Sequence, residues 1–388
     1  MAFLTTPEGL LIPDKYRTRQ GIDMSLKRIL LWMLLAINCL GMVAAAAERM
    51  QIEILEPDFL KEMNGNTSRY ILLSGPIDVD APQRLAEVLD DPKNHYADVY
   101  IHSPGGVVLA AIELGRMLRK AKTNTYIGTG SLQRDTDMGV LFFKPAIGRC
   151  FSACALTFLG GEYRWLLAGS EYGVHRFWKD STHTNDLAFA QIISANIGAY
   201  IRDMGVSGEL FDLMANTSSS EMLIVPEQEL EELNVVNNGR KPPVWSIEAA
   251  QGANYLRGEQ DSVFGKGKLL FMCDPDSGLI YMTSIYEAGQ ERAHQIAKGG
   301  WVHSLMNDGE VIPLDSVLEQ TITGANLNTI FSLSQQDAKN IASSTTIGHA
   351  MQTNRTADTF VGFRIDIADK QSARRVSNFL NTCAGSGP

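Results

Sequence analysis

Residues 98–120 read DVYIHSPGGVVLAAIELGRMLRK, and this stretch decides the fold of the first half of the chain. It opens with the apolar run of a buried strand, residues 98–102, which is followed at once by a Ser-Pro-Gly-Gly turn at residues 103–106. From residue 107 onward, apolar side chains recur at the spacing of a helix. Strand, turn and helix in this order predict an α/β layer whose sheet is largely parallel.

The alternation continues outward in both directions. Strands are predicted at residues 51–56, 69–77, 123–128 and 172–177, and helices at residues 81–89, 186–204 and 226–233. Residues 131–147 interrupt the pattern with charges, a glycine and a proline, and we interpret them as an inserted loop. Because this loop directly precedes Ser152, we expect it to act as a lid over a site there or to block that site.

A change of pattern marks a second domain. Residues 237–243 read NNGRKPP, which is the composition of a linker. Beyond them, apolar runs flank turn sequences at residues 274–278 and 307–309, an arrangement typical of antiparallel hairpins. We therefore predict a first domain at residues 48–236, a linker at residues 237–248, and a smaller α+β domain with antiparallel strands at residues 249–388.

The composition is that of an ordinary globular protein that does not bind nucleic acid. Of 388 residues, 45% are hydrophobic and 20% are charged, which excludes wholesale disorder and a small disulfide-stapled toxin. The formal net charge is −10, whereas a protein that binds duplex nucleic acid normally carries a basic surplus.

The N-terminus has the pattern of a secretory signal peptide. Lys27 and Arg28 precede an uncharged run, residues 29–47, which ends in four alanines. We interpret residues 24–47 as a signal peptide and residues 1–23 as a non-native extension upstream of it. Cleavage would leave a periplasmic or secreted protein that has no membrane association. In the alternative, residues 29–47 remain as a membrane anchor, because the run is just long enough to span a bilayer.

Three features of the first domain together point to serine chemistry. Glycines in the turn at residues 103–106 let backbone N–H groups face a cavity, as an oxyanion hole requires. Ser152 stands at the start of a helix, among unpaired N–H groups. His175 lies on an apolar strand, from which it could take the serine proton. Each feature also has a structural alternative: a plain turn, a helix cap and a core histidine.

Three segments resemble the proteolytic subunit of the Clp protease, namely IHSPGG at residues 101–106, SACA at residues 152–155 and GVH at residues 173–175. The resemblance covers residues 69–236 and extends to the wider Clp-protease/crotonase fold, above all to periplasmic members with a Cys-x-Ser-Ala-Cys signature. It implies a spiral of ββα units and assembly into a homo-oligomer. It also implies roles for single residues: Ser152 as nucleophile, His175 as general base, and the N–H groups of Gly105, Gly106 and Ala153 as the oxyanion hole.

The third member of a catalytic triad is missing from its expected place. The resemblance implies an acid shortly before the helix that begins near Pro226, but residues 218–221 read Ser-Ser-Ser-Glu. Either Glu221 or Asn216 orients the imidazole, or the site is a serine–histidine dyad with a poorly fixed tautomer.

Four cysteines remain once the signal peptide is removed together with Cys39. An oxidising compartment favours their pairing. Helical spacing would put the Cα atoms of Cys150 and Cys154 about 6 Å apart, within disulfide range. We predict that these two form a bridge that fixes the nucleophile turn, and that Cys273 and Cys383 form a second bridge. Reduced, buried thiols are the alternative, and no spacing of histidines indicates a metal site.

These observations favour an exported serine hydrolase, most simply a peptidase that acts on peptide or protein substrates without cofactor or metal. The missing acid supports a second hypothesis, a catalytically silent binding or scaffold protein of the same fold. Acyl or thioester chemistry of the crotonase kind is a third hypothesis. It is disfavoured because coenzyme A substrates are cytoplasmic.

Overall fold

A computed structural model describes residues 49–58, 69–177, 186–250, 252–263, 265–274, 279–314, 317–354, 360–367 and 369–385. The predicted signal peptide (residues 24–47), the extension before it (1–23) and the alternative anchor (29–47) lie outside these residues. Within the described residues, no helix is both long enough and apolar enough to cross a membrane.

The first half of the chain alternates strands and helices, as predicted. In chain order its elements are β1 (Gln51–Leu55), β2 (Tyr70–Ser74), α1 (Ala81–Leu89), β3 (Asp98–His102), α2 (Val108–Lys120), β4 (Asn124–Ile127), β5 (Thr129–Arg134), β6 (Leu141–Ala146), β7 (Arg149–Phe151), α3 (Ala153–Phe158), β8 (Arg164–Leu166), β9 (Glu171–Val174), α4 (Asp186–Asp203), α5 (Glu209–Asn216), β10 (Leu223–Ile224) and α6 (Glu227–Glu232).

Two sheets organise this half. Strands β1, β2, β3, β4 and β8 lie side by side in that order, and all run parallel except β1, which is antiparallel to β2. Strands β10, β9 and β7 form a second sheet in which β7 and β9 are parallel. The two sheets meet where Ser103, just past β3, pairs with Cys150 of β7. The turn after β3 therefore lies beside the turn that follows β7.

Residues 131–147 are not a loop, so that interpretation is wrong. Strands β5 and β6 pair as an antiparallel hairpin. Phe143 of this hairpin stacks on Tyr70 with 4.1 Å between ring centroids, and its ring lies 4.7 Å from that of Tyr100. The hairpin therefore packs on aromatic side chains of the first sheet. Pro145 was one reason for predicting a loop. It is exposed on a two-stranded ribbon, where a strand tolerates proline.

The second half begins with a strand and ends with a helix. In chain order its elements are β11 (Val244–Ala250), β12 (Ala253–Ser262), β13 (Gly265–Cys273), β14 (Ile280–Glu287), α7 (Gln290–Ala297), β15 (Val302–Asn307), β16 (Glu310–Pro313), β17 (Val317–Thr323), β18 (Asn326–Leu333), α8 (Gln335–Ala342), β19 (Thr346–Gln352), β20 (Val361–Asp366) and α9 (Lys370–Gly385).

Both sheets of this half are antiparallel, as predicted. One has the order β11-β12-β13-β14-β18-β17, and the other has the order β16-β15-β19-β20. The predicted hairpins are present, because β13 pairs with β14 and β15 pairs with β16. The predicted bridge between Cys273 and Cys383 is also present, with the two Cα atoms 5.6 Å apart. It ties β13 to the closing helix α9.

The described residues from Met50 onward form one compact unit with two hydrophobic clusters. The first cluster runs from Met50 to Val236 along the chain, and the second runs from Trp245 to Cys383. Trp245 is only 3% exposed, so the second cluster begins inside the predicted linker of residues 237–248. The linker is shorter than predicted because Val244 already starts β11 and pairs with β12. The chain is therefore a mixed α/β protein whose second half is antiparallel.

Candidate functional site

Ser152 lies in the tight turn between β7 and α3. Its backbone has φ 58° and ψ −123°, a conformation with positive φ that residues other than glycine rarely adopt. Such a conformation costs on the order of 1–3 kcal/mol and persists only when its surroundings impose it. The Ser152 side chain makes no capping hydrogen bond to α3, although a serine at this position usually does. The helix-cap interpretation therefore fails, and a partly exposed hydroxyl is left without that role.

A disulfide and two backbone hydrogen bonds impose this conformation. Cys150 and Cys154 form the predicted bridge across the turn, with their Cα atoms 5.2 Å apart and both residues fully buried. The Ser152 N–H donates to the carbonyl of Gly173 at 2.9 Å, and the Ala155 N–H donates to the carbonyl of Ser152 at 3.0 Å. The turn is thus held covalently from within and by β9 from the side.

Strand pairing brings His175 to the same edge of the sheet as Ser152. Phe151 pairs with Gly173 in the parallel ladder of β7 and β9, and each candidate residue follows the end of its strand. The sequence predicted His175 within a strand, but β9 ends at Val174, so His175 stands just past it. Gly173 has no room for a side chain, because a Cβ there would lie 2.7 Å from the Phe151 ring and 2.8 Å from the Met222 sulfur.

The Ser-Pro-Gly-Gly turn packs directly against Ser152. The Ser103 N–H donates to the Arg149 carbonyl at 2.8 Å, and the Phe151 N–H donates back to the Ser103 carbonyl at 3.1 Å. Gly105 has φ +104°, and a Cβ on it would lie 2.8 Å from the Cβ of Ser152. Only glycine allows this approach, so the two segments singled out in the sequence form one structural unit.

The backbone N–H groups of this unit differ in how they are used. The Gly105 N–H donates to Ser103 Oγ at 3.1 Å, so it is already engaged and does not serve as an oxyanion donor in this structure. The Gly106 N–H donates to no acceptor among the described residues. Ala153 is the first residue of α3, and the N–H of a first helical residue has no intrahelical acceptor. Of the three N–H groups predicted to form an oxyanion hole, those of Gly106 and Ala153 remain as possible donors.

The imidazole of His175 has no orienting partner among the described residues. Its Nδ1 is buried and makes no hydrogen bond there. Glu221 is exposed, and its backbone N–H donates to the Ser218 carbonyl, so the predicted orienting role of Glu221 is not realised. The reason is the register of β10 on β9: Leu223 pairs with Val174, which places residue 222 and not Glu221 opposite His175. Asn216, the other candidate, is exposed at the end of α5.

No hydrogen bond joins Ser152 to His175 in the described part of the chain. This does not exclude a catalytic pair, because such bonds are often long in an enzyme without substrate and tighten when substrate binds. One ion pair joins the two strands that lead to Ser152 and His175. Arg149 of β7 and Glu171 of β9 form an exposed ion pair at 3.0 Å, and the Arg149 N–H donates to Nδ1 of His102 at 3.0 Å.

The described residues contain no cluster of three or more His, Cys, Asp or Glu side chains that could hold a metal ion. Comparison with protein-family models finds no model that matches the chain, and comparison with curated proteins finds no match either. The site must therefore be interpreted from its own geometry.

Proposed function

We propose that the chain is an exported serine hydrolase, most simply a peptidase, with Ser152 as nucleophile and His175 as general base. The observation that carries the proposal is the conformation of Ser152. Its strained backbone and its uncapped hydroxyl sit at a strand-to-helix turn beside the end of the strand that precedes His175. Strain of this kind collects at functional sites, and a sharp strand-to-helix turn is a known way to expose a nucleophile.

The proposed chemistry is acyl transfer through a covalent intermediate. Ser152 Oγ attacks the substrate carbonyl carbon while His175 takes the hydroxyl proton, which it then gives to the leaving amine. The N–H groups of Gly106 and Ala153 stabilise the negative oxygen that forms. A water molecule, deprotonated by His175, then hydrolyses the acyl-enzyme and restores Ser152.

The fold proposed for the first half is the Clp-protease/crotonase-like spiral of ββα units. Its support is the order of the elements, in which strands alternate with helices and two sheets meet at the Ser-Pro-Gly-Gly turn. The two disulfides support export, because an oxidising compartment preserves them. Assembly into a homo-oligomer is part of the same proposal and rests on the family resemblance.

A peptide is the substrate that the surroundings of the site favour. Strand β10 is the edge of the three-stranded sheet next to His175, and an edge strand can pair with an extended peptide. Apolar side chains lie exposed on both flanks of the site: Ile224 and Met222 beside β9, and Val107 and Leu109 after the Gly-Gly turn. An extended substrate with apolar side chains would cover them.

The second candidate function is a silent binding protein of the same fold. The observation in its favour is the His175 imidazole, whose buried Nδ1 lacks the acid that fixes the tautomer in a triad. A dyad in which the imidazole is held by packing alone remains the first proposal, because the silent alternative gives no reason for a strained serine.

A fluorophosphonate probe distinguishes the two functions. We expect it to label the wild-type protein and the Ser131→Ala variant, a control at an exposed serine of the β5–β6 hairpin. Ser152→Ala should lose labelling completely, and His175→Gln should slow it roughly 10²- to 10⁴-fold. Labelling of Ser152→Ala at the wild-type rate would overturn the assignment of the nucleophile. Absence of labelling in every variant, with the proteins folded, would favour the silent function.

A further inference from the structure

The second half of the chain contains a cavity of about 600 Å³ that the proposed hydrolase chemistry does not use. It lies between the ends of β14 and β20 and the segment that joins the two hydrophobic clusters. Its lining combines three arginines with three aromatic rings: Arg240, Arg292, Arg364, Tyr286, Phe360 and Phe363. The volume is typical of a site for a small organic ligand.

Among the described residues, a neighbouring acid neutralises only one of the three arginines. Arg240 donates to both carboxylate oxygens of Asp366, at 3.1 and 3.4 Å. The same carboxylate also accepts a bond of 2.9 Å from the side chain of Gln260, which is 3% exposed. The carboxylate of Asp366 is therefore committed to Arg240 and Gln260.

The other two arginines have no acidic partner among the described residues. The guanidinium of Arg364 lies 5.6 Å above the Phe360 ring, and its Nε–H donates to the sulfur of Met306 at 3.4 Å. These contacts position a cation without neutralising it. Arg292 is exposed on α7 and makes no ion pair with a described residue. Two uncompensated cations thus line one apolar cavity of a chain whose net charge is −10.

Two cations favour a ligand with a negative charge, and the walls of the cavity indicate the rest of that ligand. The rings of Tyr286 and Phe363 lie nearly parallel, 6.1 Å apart, and form one side. Phe363 also fills the space above Gly267, where a Cβ would lie 1.9 Å from its ring, so this wall is held in place. A fixed aromatic wall favours an apolar, flat or branched group over a hydrated one.

We propose that this cavity binds a carboxylate with an apolar body. The carboxylate pairs with Arg292 and Arg364, because a guanidinium and a carboxylate match in a two-bond geometry. The apolar body lies against Tyr286 and Phe363. The free C-terminus of a peptide that ends in an apolar residue and a free aliphatic acid share this chemistry. The inference is independent of the chemistry proposed for Ser152.

Calorimetry with matched ligands tests the inference on the mature, full-length protein. The probes are N-acetyl-Ala-Ala-Phe with a free carboxylate, the same peptide as its C-terminal amide, and decanoate. We expect at least one of the two carboxylates to bind, and the amide to bind at least tenfold more weakly than the acid if the peptide is the ligand. Binding of decanoate without binding of the peptide acid would support the cavity and assign it to free acids.

Two variants and one control locate the binding. Arg364→Gln and Arg292→Gln should each weaken the bound carboxylate at least tenfold. Arg292 is exposed, so its variant cannot fail merely by unfolding the core. Arg257→Gln is the control, because Arg257 pairs with Glu248 and Glu259 on the same sheet and lies outside the lining. Equal binding of peptide acid and amide, no binding of any probe, or unchanged affinity in Arg292→Gln would overturn the proposal.

Discussion

The described residues contain two serine–histidine arrangements, one in each half of the chain, and they differ in how completely they are hydrogen-bonded. In the second half, Ser284 Oγ lies 2.7 Å from His349 Nδ1, and His349 Nε2 lies 3.0 Å from Nδ1 of His303. Ser284 and His349 are each 1% exposed. In the first half, Ser152 is partly exposed without a capping bond, and Nδ1 of His175 has no partner among the described residues.

A complete array of hydrogen bonds is thus a property of the buried core and not by itself a sign of catalysis. Buried polar groups are almost always satisfied, and the array around His349 satisfies this rule. A substrate has no access to a serine that is 1% exposed. Ser152 is instead partly exposed and has a strained backbone, which is what the proposed catalytic pair requires. Mutation of His349 should therefore lower stability while labelling persists, whereas mutation of His175 should slow labelling with little change in stability.

The largest effect on stability is expected from His349→Ala. The change leaves Ser284 Oγ and His303 Nδ1 without their partner and opens a cavity next to Phe331, whose ring lies 5.0 Å from that of His349. We expect the free energy of unfolding to fall by about 3 kcal/mol, as measured by urea denaturation. Labelling by the fluorophosphonate probe should persist while the variant is folded.

His175→Ala is the matched control for that prediction. Its imidazole has one buried nitrogen without a partner, and such a group costs free energy in the folded state. We therefore expect its unfolding free energy to equal that of the wild type within about 0.5 kcal/mol, while labelling slows. A loss at His175 as large as that at His349 would contradict the comparison.

The sequence predicted the candidate residues of the site and one constraint on it, the Cys150–Cys154 bridge, but not the strain in the turn. The segments around Gly105, Ser152 and His175 stood out through their order along the chain and their family resemblance, although each of them alone also has a structural alternative. The α/β alternation was likewise readable from apolar periodicity, and both disulfides followed from the cysteine count. The strained backbone of Ser152 left no signal, because φ and ψ at one residue depend on tertiary contacts.

Other features could not be read from the sequence for the same physical reason. The hairpin at residues 129–146 packs Phe143 against aromatic rings on a sheet face that no local pattern reveals. Whether Glu221, Asn216 or neither residue orients the imidazole could not be decided from the sequence, because the register of β10 on β9 is set by long-range pairing. Arg240, Arg292 and Arg364 lie far apart in the chain, so only the fold brings them to one cavity.

The buried histidines should make stability depend on pH. Burial lowers the pKa of His349 to about 3 and also lowers the pKa of His303, whereas an unfolded histidine titrates near 6.5. Between these values the unfolded chain binds protons that the folded chain does not, so stability is full above pH 6.5 and is lost as pH falls. We expect a loss of up to about 1.4 kcal/mol per pH unit for His349, from pH 6 to pH 4.5.

Urea midpoints over that range test the pH dependence. The carboxyl of Asp78 does not interfere there: the Arg84 side chain lowers its pKa to about 2, so its contribution is lost only as pH falls below about 3.8. In the His349→Phe variant, the urea midpoint should change less with pH. A wild-type midpoint that stays constant from pH 6.5 to pH 4.5 would show that the array around His349 accepts protons in the folded state.

A smaller effect than that of His349→Ala is expected from Ser152→Gly, and its sign tests the comparison most directly. Glycine adopts the backbone conformation of Ser152 without strain, so relief of on the order of 1–3 kcal/mol opposes the entropic cost of a glycine, roughly 0.5–1 kcal/mol. We expect Ser152→Gly to be about 1 kcal/mol more stable than Ser152→Ala, although neither variant is labelled. At Ser284, which lies in regular strand β14, the same pair should have the opposite order. Because both pairs of variants remove a hydroxyl, only the backbone at Ser152 can reverse the order. A Ser152→Gly variant that is less stable than Ser152→Ala would show that the backbone of Ser152 is not strained.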